Sequence, residues 1–305
     1  MTTPPDAPSL FNRIQASLNA PVDPAVRDFA AQLGAAAGAL AVLFYGSNLR
    51  TGSLDGVLDF YVLLPGAVEK GLWPRVSYHE REDGGRTLRA KVATMTLATF
   101  AAAVAGETLD TTIWARFVQP SGLVWVRDQV QAGAVHDAVA RAAITAARYA
   151  VALGPAAGTV EDYWRALFRA TYRAEFRIEK PGRENDILGV NAAHFAGLLP
   201  AALDAGGIAW SRTGDTLHPR LGPAQANALR RAWARRARLG KPYNLVRLLR
   251  ASTTFDGAAK YAAWKIERHT GVPVTLTPWR ERHPVLAAPG VLWRVWRARR
   301  IAGRA

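Results

Sequence analysis

The chain has no cysteine, which excludes a disulfide framework and any thiolate metal site and fits a reducing compartment. Histidine and carboxylate ligands stay open to a metal. Acids are scarce: 24 Asp and Glu stand against 39 Lys and Arg, a formal net charge of +15 and a sequence pI near 10.8. A surface of that sign attracts polyanions, whether nucleic acid, nucleotide or an anionic membrane face, and charge alone does not choose among them. Long apolar runs are missing too. The uncharged stretch from Phe29 to Leu49 is interrupted by Gln32, three glycines, Ser47 and Asn48 and is rich in alanine, the composition of a helix followed by a strand and not of a membrane span. The opening MTTPPDAPSL carries no basic stretch leading into an apolar core, so no secretory signal is expected there.

What is present suits a globular chain. Half of the 305 residues are hydrophobic, enough for one large core or two modest ones. Val26 to Ala37 has the composition of a helix, Ala39 to Tyr45 that of a buried strand ending at glycine, and Gly56 to Leu64 that of a second strand stopped by Pro65-Gly66. Between these strands GSNLRTGSLDG is expected to be a polar loop. Arg86 to Met95 alternates as a third strand before a helix over Thr96 to Ala105, and GLVWV near Val126 suggests another strand. Beyond Asp128 the pattern turns helical: Ala134 to Leu153, Thr159 to Ile178, Leu188 to Leu203, Gln225 to Leu239 and Leu245 to His269, with glycine- and proline-bearing connectors. The expectation is an α+β protein: an N-terminal α/β unit over 1–130, a mostly helical unit over 131–277, and a basic tail over 278–305.

Chemistry concentrates in Leu43 to Leu64, LFYGSNLRTGSLDGVLDFYVLL. A hydrophobic strand delivers Gly46 and Ser47, and 12 positions later a second strand delivers Asp59. A triphosphate needs donors close to its terminal phosphates; glycine lets the backbone approach, and the following N–H groups and hydroxyl bind oxygen. Nucleotidyl transfer also needs a metal beside the α-phosphate, which a carboxylate on the neighbouring strand can hold. An aspartate among Val57, Leu58, Phe60 and Tyr61 is costly to bury without a partner, and a metal supplies one.

This pattern resembles the polymerase β type nucleotidyltransferase superfamily, in which Gly-Ser is followed by two acids separated by one hydrophobic residue. Here Tyr61 stands at the second acid. A single Asp-Phe is the mark of one branch, the mitochondrial translocator assembly and maintenance phosphatidate cytidylyltransferases and their bacterial relatives. RTLRAKVAT (86–94), RFVQP (116–120) and TYRAEFRI (171–178) are similar to that branch's basic strand, its arginine-glutamine-proline segment and its tyrosine, acid, phenylalanine, arginine motif. AHF (193–195) and VRLLRAST (246–253) are fainter echoes. Two details depart: Asn48-Leu49-Arg50 replaces glycine and apolar residues, and Glu175 replaces an aspartate.

The resemblance implies a nucleotidyltransferase domain followed by a helical domain that completes the active site, for which a winged-helix-like form is open. It implies a metal-dependent cytidylyltransferase that converts CTP and phosphatidic acid into CDP-diacylglycerol and pyrophosphate, with Mg²⁺ or Mn²⁺ held by Asp59 and Glu175. Gly46, Ser47, Arg89, Lys91, Arg116 and Arg177 would then grip the nucleotide. Arg89 and Lys91 share a strand face by period two, although solvated surface cations look the same in sequence. Glu175 could equally be a solvated ion pair with Arg173 or Lys180.

The segment VLWRVWRARRIAGRA (291–305) has five arginines and no acid. As a helix it sets Trp293 at the boundary between Leu292, Val295 and Trp296 on one side and Arg294, Arg297 and Arg300 on the other. That suits a helix on an anionic bilayer, which points to a peripheral protein on the inner face of the cell membrane. Two other readings remain open: the same transfer to another phosphorylated lipid or soluble acceptor, and an inactive nucleotidyltransferase shell that binds nucleic acid. Against the latter, no recognised nucleic-acid motif accompanies the basic stretches.

Overall fold

The computed structural model describes residues 8–71, 75–175, 182–282 and 284–302. In chain order, α1 (Leu10–Leu18) and α2 (Pro24–Ala36) lead into β1 (Ala41–Tyr45), the short α3 (Ser47–Thr51), β2 (Leu58–Leu64), β3 (Arg75–Asp83) and β4 (Arg86–Thr96). Then come α4 (Leu97–Val104), α5 (Thr112–Phe117), β5 (Ser121–Val126) and the long α6 (Gln129–Leu153). The remainder is α7 (Val160–Ala174), α8 (Arg183–Val190), α9 (Ala192–Ala205), a hairpin of β6 (Ala209–Thr213) and β7 (Thr216–Arg220), α10 (Pro223–Thr254), α11 (Ala258–Thr270), α12 (Pro278–Arg282) and α13 (Pro284–Ala302).

The fold is mixed α and β, built on a five-stranded mixed sheet of order β3-β4-β2-β1-β5. β1 lies antiparallel to β2 and to β5, β2 runs parallel to β4, and β3 closes the edge antiparallel to β4. Strand alternation divides the core between the sheet's two faces. Val42, Phe44, Phe60, Val62 and Val92 pack under α2, whose Phe29 meets Phe60 edge-on. Leu43, Tyr45, Tyr61, Leu63 and Met95 join the opposite face, where one apolar cluster runs on through Trp114, Val139, Trp164, Phe195 and Trp233. The helices after residue 130 therefore share this core with the sheet. α6 begins at Asp128, whose carboxylate caps Gln131 N at 2.9 Å.

Several local expectations differ from what forms. The polar loop after β1 contains the helical turn α3, and Asn48 within it is buried. β3, α1 and α5 were not foreseen, nor was the β6–β7 hairpin inside an expected connector. The region read as one helix over 188–203 is the pair α8 and α9. The helices expected over 225–239 and 245–269 are instead redivided: α10 continues through Gly240 and Pro242, and the break falls at 255–257. Gly240 lies against the carbonyl of Ala174, where a Cβ would have no room, so that glycine serves close helix packing and not a turn. α7 stops at Ala174, so Glu175 caps it in extended conformation.

Candidate functional site

The antiparallel register of β1 and β2 pairs Tyr45 with Asp59, so the last residue of one strand lies across from the carboxylate-bearing residue of the other. Gly46 follows with φ +94, and a Cβ built there would come within 3.2 Å of Asp59 Oδ2. Both conformation and space therefore call for glycine. Ser47 is exposed, and its hydroxyl donates to Asn48 Oδ1 at 3.3 Å. Asn48 in turn donates through Nδ2 to the carbonyls of Ser53 at 2.8 Å and Asp55 at 2.7 Å. That side chain pins the loop from inside, which gives the departure at 48 a structural role.

Cations gather on this end of the sheet. The parallel register of β2 and β4 sets Lys91 beside Asp59, with Nζ 3.4 Å from Oδ1. The two side chains keep 37% and 27% of their exposure, so the pair is open to a ligand from solvent. Arg116, on α5, donates to the Tyr61 hydroxyl at 2.7 Å and lies 4.9 Å over the Tyr45 ring. Burial pushes its pKa down, but Tyr45, Tyr61, Asp59 and Glu175 outweigh burial and hold it above the ordinary arginine value. Arg116 thus senses the charges of both candidate carboxylates. Tyr61, at the position of the second acid in the general superfamily pattern, has its hydroxyl pKa raised mainly by burial.

No family model and no curated protein matches the chain. The site therefore stands on its own geometry.

Glu175 is 3% exposed and accepts from the Thr111 hydroxyl, so its carboxylate is buried and not solvated; Lys180 lies outside the described residues. Arg177 lies outside the described residues. Arg89 shares the β4 face of Lys91, but its Nη1 donates to the Thr87 carbonyl at 3.1 Å, its Nε sits 3.5 Å from Glu80, and its guanidinium lies 5.5 Å over Trp264 of α11. It is directed along the sheet edge, while Lys91 meets Asp59 directly.

A further pair was not anticipated. Asp110 is buried, accepts from Thr112 N at 2.8 Å and Oγ1 at 2.6 Å, and takes Arg247 Nη1 of α10 at 2.7 Å. Both charges reach Tyr61. The signal in sequence was local: an acid followed by two threonines opens a helix. Arg247 gave none, because its partner is 137 positions away.

For a metal, the donor set is small. Among the described residues no group of three or more histidine, aspartate or glutamate side chains is assembled to hold an ion. Asp59 fits an ion such as Mg²⁺, which takes one or two carboxylates and completes its shell with phosphate oxygens and water. Glu175, which accepts from Thr111 and adds to the charge acting on Arg116, is the candidate for a second.

On the C-terminal helix, Trp293 and Trp296 are 56% and 53% exposed. Arg294 and Arg297 are also exposed, and Arg297 lies 5.4 Å over the Trp293 ring. The Arg300 side chain lies outside the described residues. No single helix among the described residues is long and apolar enough to cross a membrane; a bent pair, Glu184–Val190 with Ala192–Ala205, matches by length and composition, and its Leu188, Phe195 and Leu198 are buried in the protein core.

Proposed function

We propose that this chain is a metal-dependent nucleotidyltransferase resembling phosphatidate cytidylyltransferase, which joins CTP to a lipid phosphate and releases pyrophosphate. The observation that carries the reading is the Gly46 turn held against the Asp59 carboxylate, with Lys91 in contact with that carboxylate and Arg116 within reach of its charge. Gly46 leaves the first turn of α3 without a side-chain cap, so its N–H groups and the Ser47 hydroxyl can meet the β- and γ-phosphates. Lys91 and Arg116 offset the charge that gathers on departing pyrophosphate. Bound Mg²⁺ or Mn²⁺ would supply further neutralisation beside Asp59, with Glu175 as a second support.

The bonding change balances simply. An oxygen of the acceptor's phosphate forms a bond to the α-phosphorus, the bond from that phosphorus to the bridging oxygen breaks, and pyrophosphate leaves with the electron pair. The nucleophile is already anionic, so no strong base is needed, and Tyr61 in place of a second acid is compatible with the chemistry. Arg177 completes the nucleotide-binding set in this reading, and Arg89 borders it. Residues 1–130 act as the nucleotidyltransferase unit, 131–277 as the helical unit, and 278–305 as the part that meets the membrane. The β6–β7 hairpin among helices supports a winged-helix-like form for the second unit. The exposed indoles and arginines of α13 support a peripheral position on an anionic bilayer.

The test is mass spectrometry of the products formed from all four nucleoside triphosphates, extracted membrane lipids and a divalent metal. The native chain is expected to make a CDP-lipid. Asp59→Ala is expected to make none while keeping its circular dichroism, and unaltered turnover by that variant would remove the mechanism.

A further inference from the structure

A cationic pocket of about 460 Å³ lies beside the start of β4, and one of its lining residues, Arg89, is two positions from Lys91 along that strand. Its walls are the Asp55–Gly56 turn before β2, the first residues of β4, and Trp264 and Arg268 of α11. Three guanidiniums line it, those of Arg86, Arg89 and Arg268, against the single carboxylate of Asp55.

Two of the three are held in place. Arg89 and Arg268 lie 5.5 and 5.3 Å over the same Trp264 ring, which orients a guanidinium without neutralising it. Arg268 Nη1 also reaches within 3.1 Å of where a Cβ would stand on Gly56, a residue at φ +98; the glycine gives the arginine its path into the pocket. Glu80 balances part of the Arg89 charge at 3.5 Å. Among the described residues neither Arg86 nor Arg268 has a carboxylate partner. Like charges focused on a concave wall are unfavourable until an anion enters.

The wall's charge points to one ligand class. Three guanidiniums and one carboxylate on the wall, with Glu80 drawing on part of the Arg89 charge, leave a surplus of between one and two positive charges, which suits a phosphomonoester carrying about −1.5 to −2 at neutral pH. Guanidinium forks match phosphate oxygens in pairs. Position supports the same ligand. Arg89 precedes Lys91 by two residues on one face of β4, a rise of about 7 Å, so the pocket adjoins the place of the triphosphate without coinciding with it. We infer that Arg86, Arg89 and Arg268 receive the phosphomonoester group of the second substrate and present its oxygen toward the Asp59 site. This rests on the reading of Asp59 as the nucleotide site.

The test uses the full chain and calorimetry with four probes: CTP, glycerol 3-phosphate, phosphatidylcholine vesicles containing phosphatidic acid, and the same vesicles with phosphatidylserine. Binding of phosphatidic acid vesicles but not glycerol phosphate assigns a lipid headgroup, and binding of both assigns the phosphate itself. The double variant Arg86→Gln, Arg268→Gln alters two exposed side chains and is expected to weaken phosphomonoester binding at least about tenfold with CTP affinity unchanged. Loss of CTP binding in parallel, undiminished phosphomonoester binding by the variant, an equal loss of phosphatidylserine vesicle binding by the variant, or CTP binding without any phosphomonoester binding by the native chain would each overturn the assignment. Variant-sensitive phosphomonoester binding in a chain that makes no CDP product would keep the pocket and reject nucleotidyl transfer.

Discussion

Gly46 sits where a backbone turn and a carboxylate meet most closely. Any side chain there must adopt φ +94 and intrude to 3.2 Å from Asp59 Oδ2. Gly46→Ala is therefore expected to lower stability by about 1–3 kcal/mol, measured by chemical unfolding, and to lower turnover beyond what the unfolded fraction explains. A neutral result in both measurements would show that the turn has slack. The glycine, serine and aspartate of this turn were legible because long apolar strands frame them and leave few other places for polar residues. The Asp110–Arg247 pair and the Tyr61–Arg116 bond were not, since each joins partners distant in sequence. Arg116 illustrates the limit: in sequence it is one basic residue among 39 Lys and Arg, while in the fold it is the cation that senses both Asp59 and Glu175.

Elements differ in how much of their signal is local. β1, β2 and β4 could be placed because their apolar content is high or their alternation regular. β3 (RVSYHERED) is a sheet edge with charged residues, and only pairing with β4 makes it a strand. α10 runs through Gly240 and Pro242 because packing on Ala174 outweighs residues that usually end helices. α7 was placed well at its start, where Thr159 and Asp162 form a reciprocal cap: Asp162 N is bonded to Thr159 Oγ1 at 3.2 Å and Thr159 N to Asp162 Oδ2 at 2.9 Å.

The bond from the Thr159 backbone, with that from its hydroxyl, holds the Asp162 carboxyl below its ordinary pKa. A lowered folded-state pKa means that this stabilisation is present above the usual carboxylate range and is lost as pH falls through the lowered value. Thr159→Ala should cost about 1 kcal/mol at neutral pH. The difference from the native chain should shrink in acid, as read by denaturant titrations at both conditions. A pH-independent difference would assign the cap's value to something other than Asp162 ionisation.

At the scale of the molecule, the excess of positive charge gains a direction. Trp279, Trp293 and Trp296 are exposed in the C-terminal part, beside arginines, and α10 adds exposed Leu239, Leu245 and Val246. Replacing Trp293 and Trp296 by alanine together is expected to weaken binding to anionic vesicles about tenfold or more, because interfacial indoles and arginines act jointly there. Affinity for CTP should be unchanged. Equal vesicle binding by the variant in a sedimentation assay would move the membrane contact elsewhere. Composition suggests an affinity for polyanions without choosing one; the fold sets an arginine-lined pocket beside the start of β4 and exposed indoles on the terminal helix.

In the proposed function the Gly46 turn and Asp59 hold a metal–triphosphate complex between them. Electron paramagnetic resonance of Mn²⁺, titrated into the full chain with and without CTP, reads this directly. CTP is expected to tighten Mn²⁺ binding to the native chain, and Asp59→Asn, folded as the native chain by circular dichroism, is expected to lose that coupling. Asp59→Asn binding Mn²⁺ and CTP as tightly together as the native chain does would contradict it.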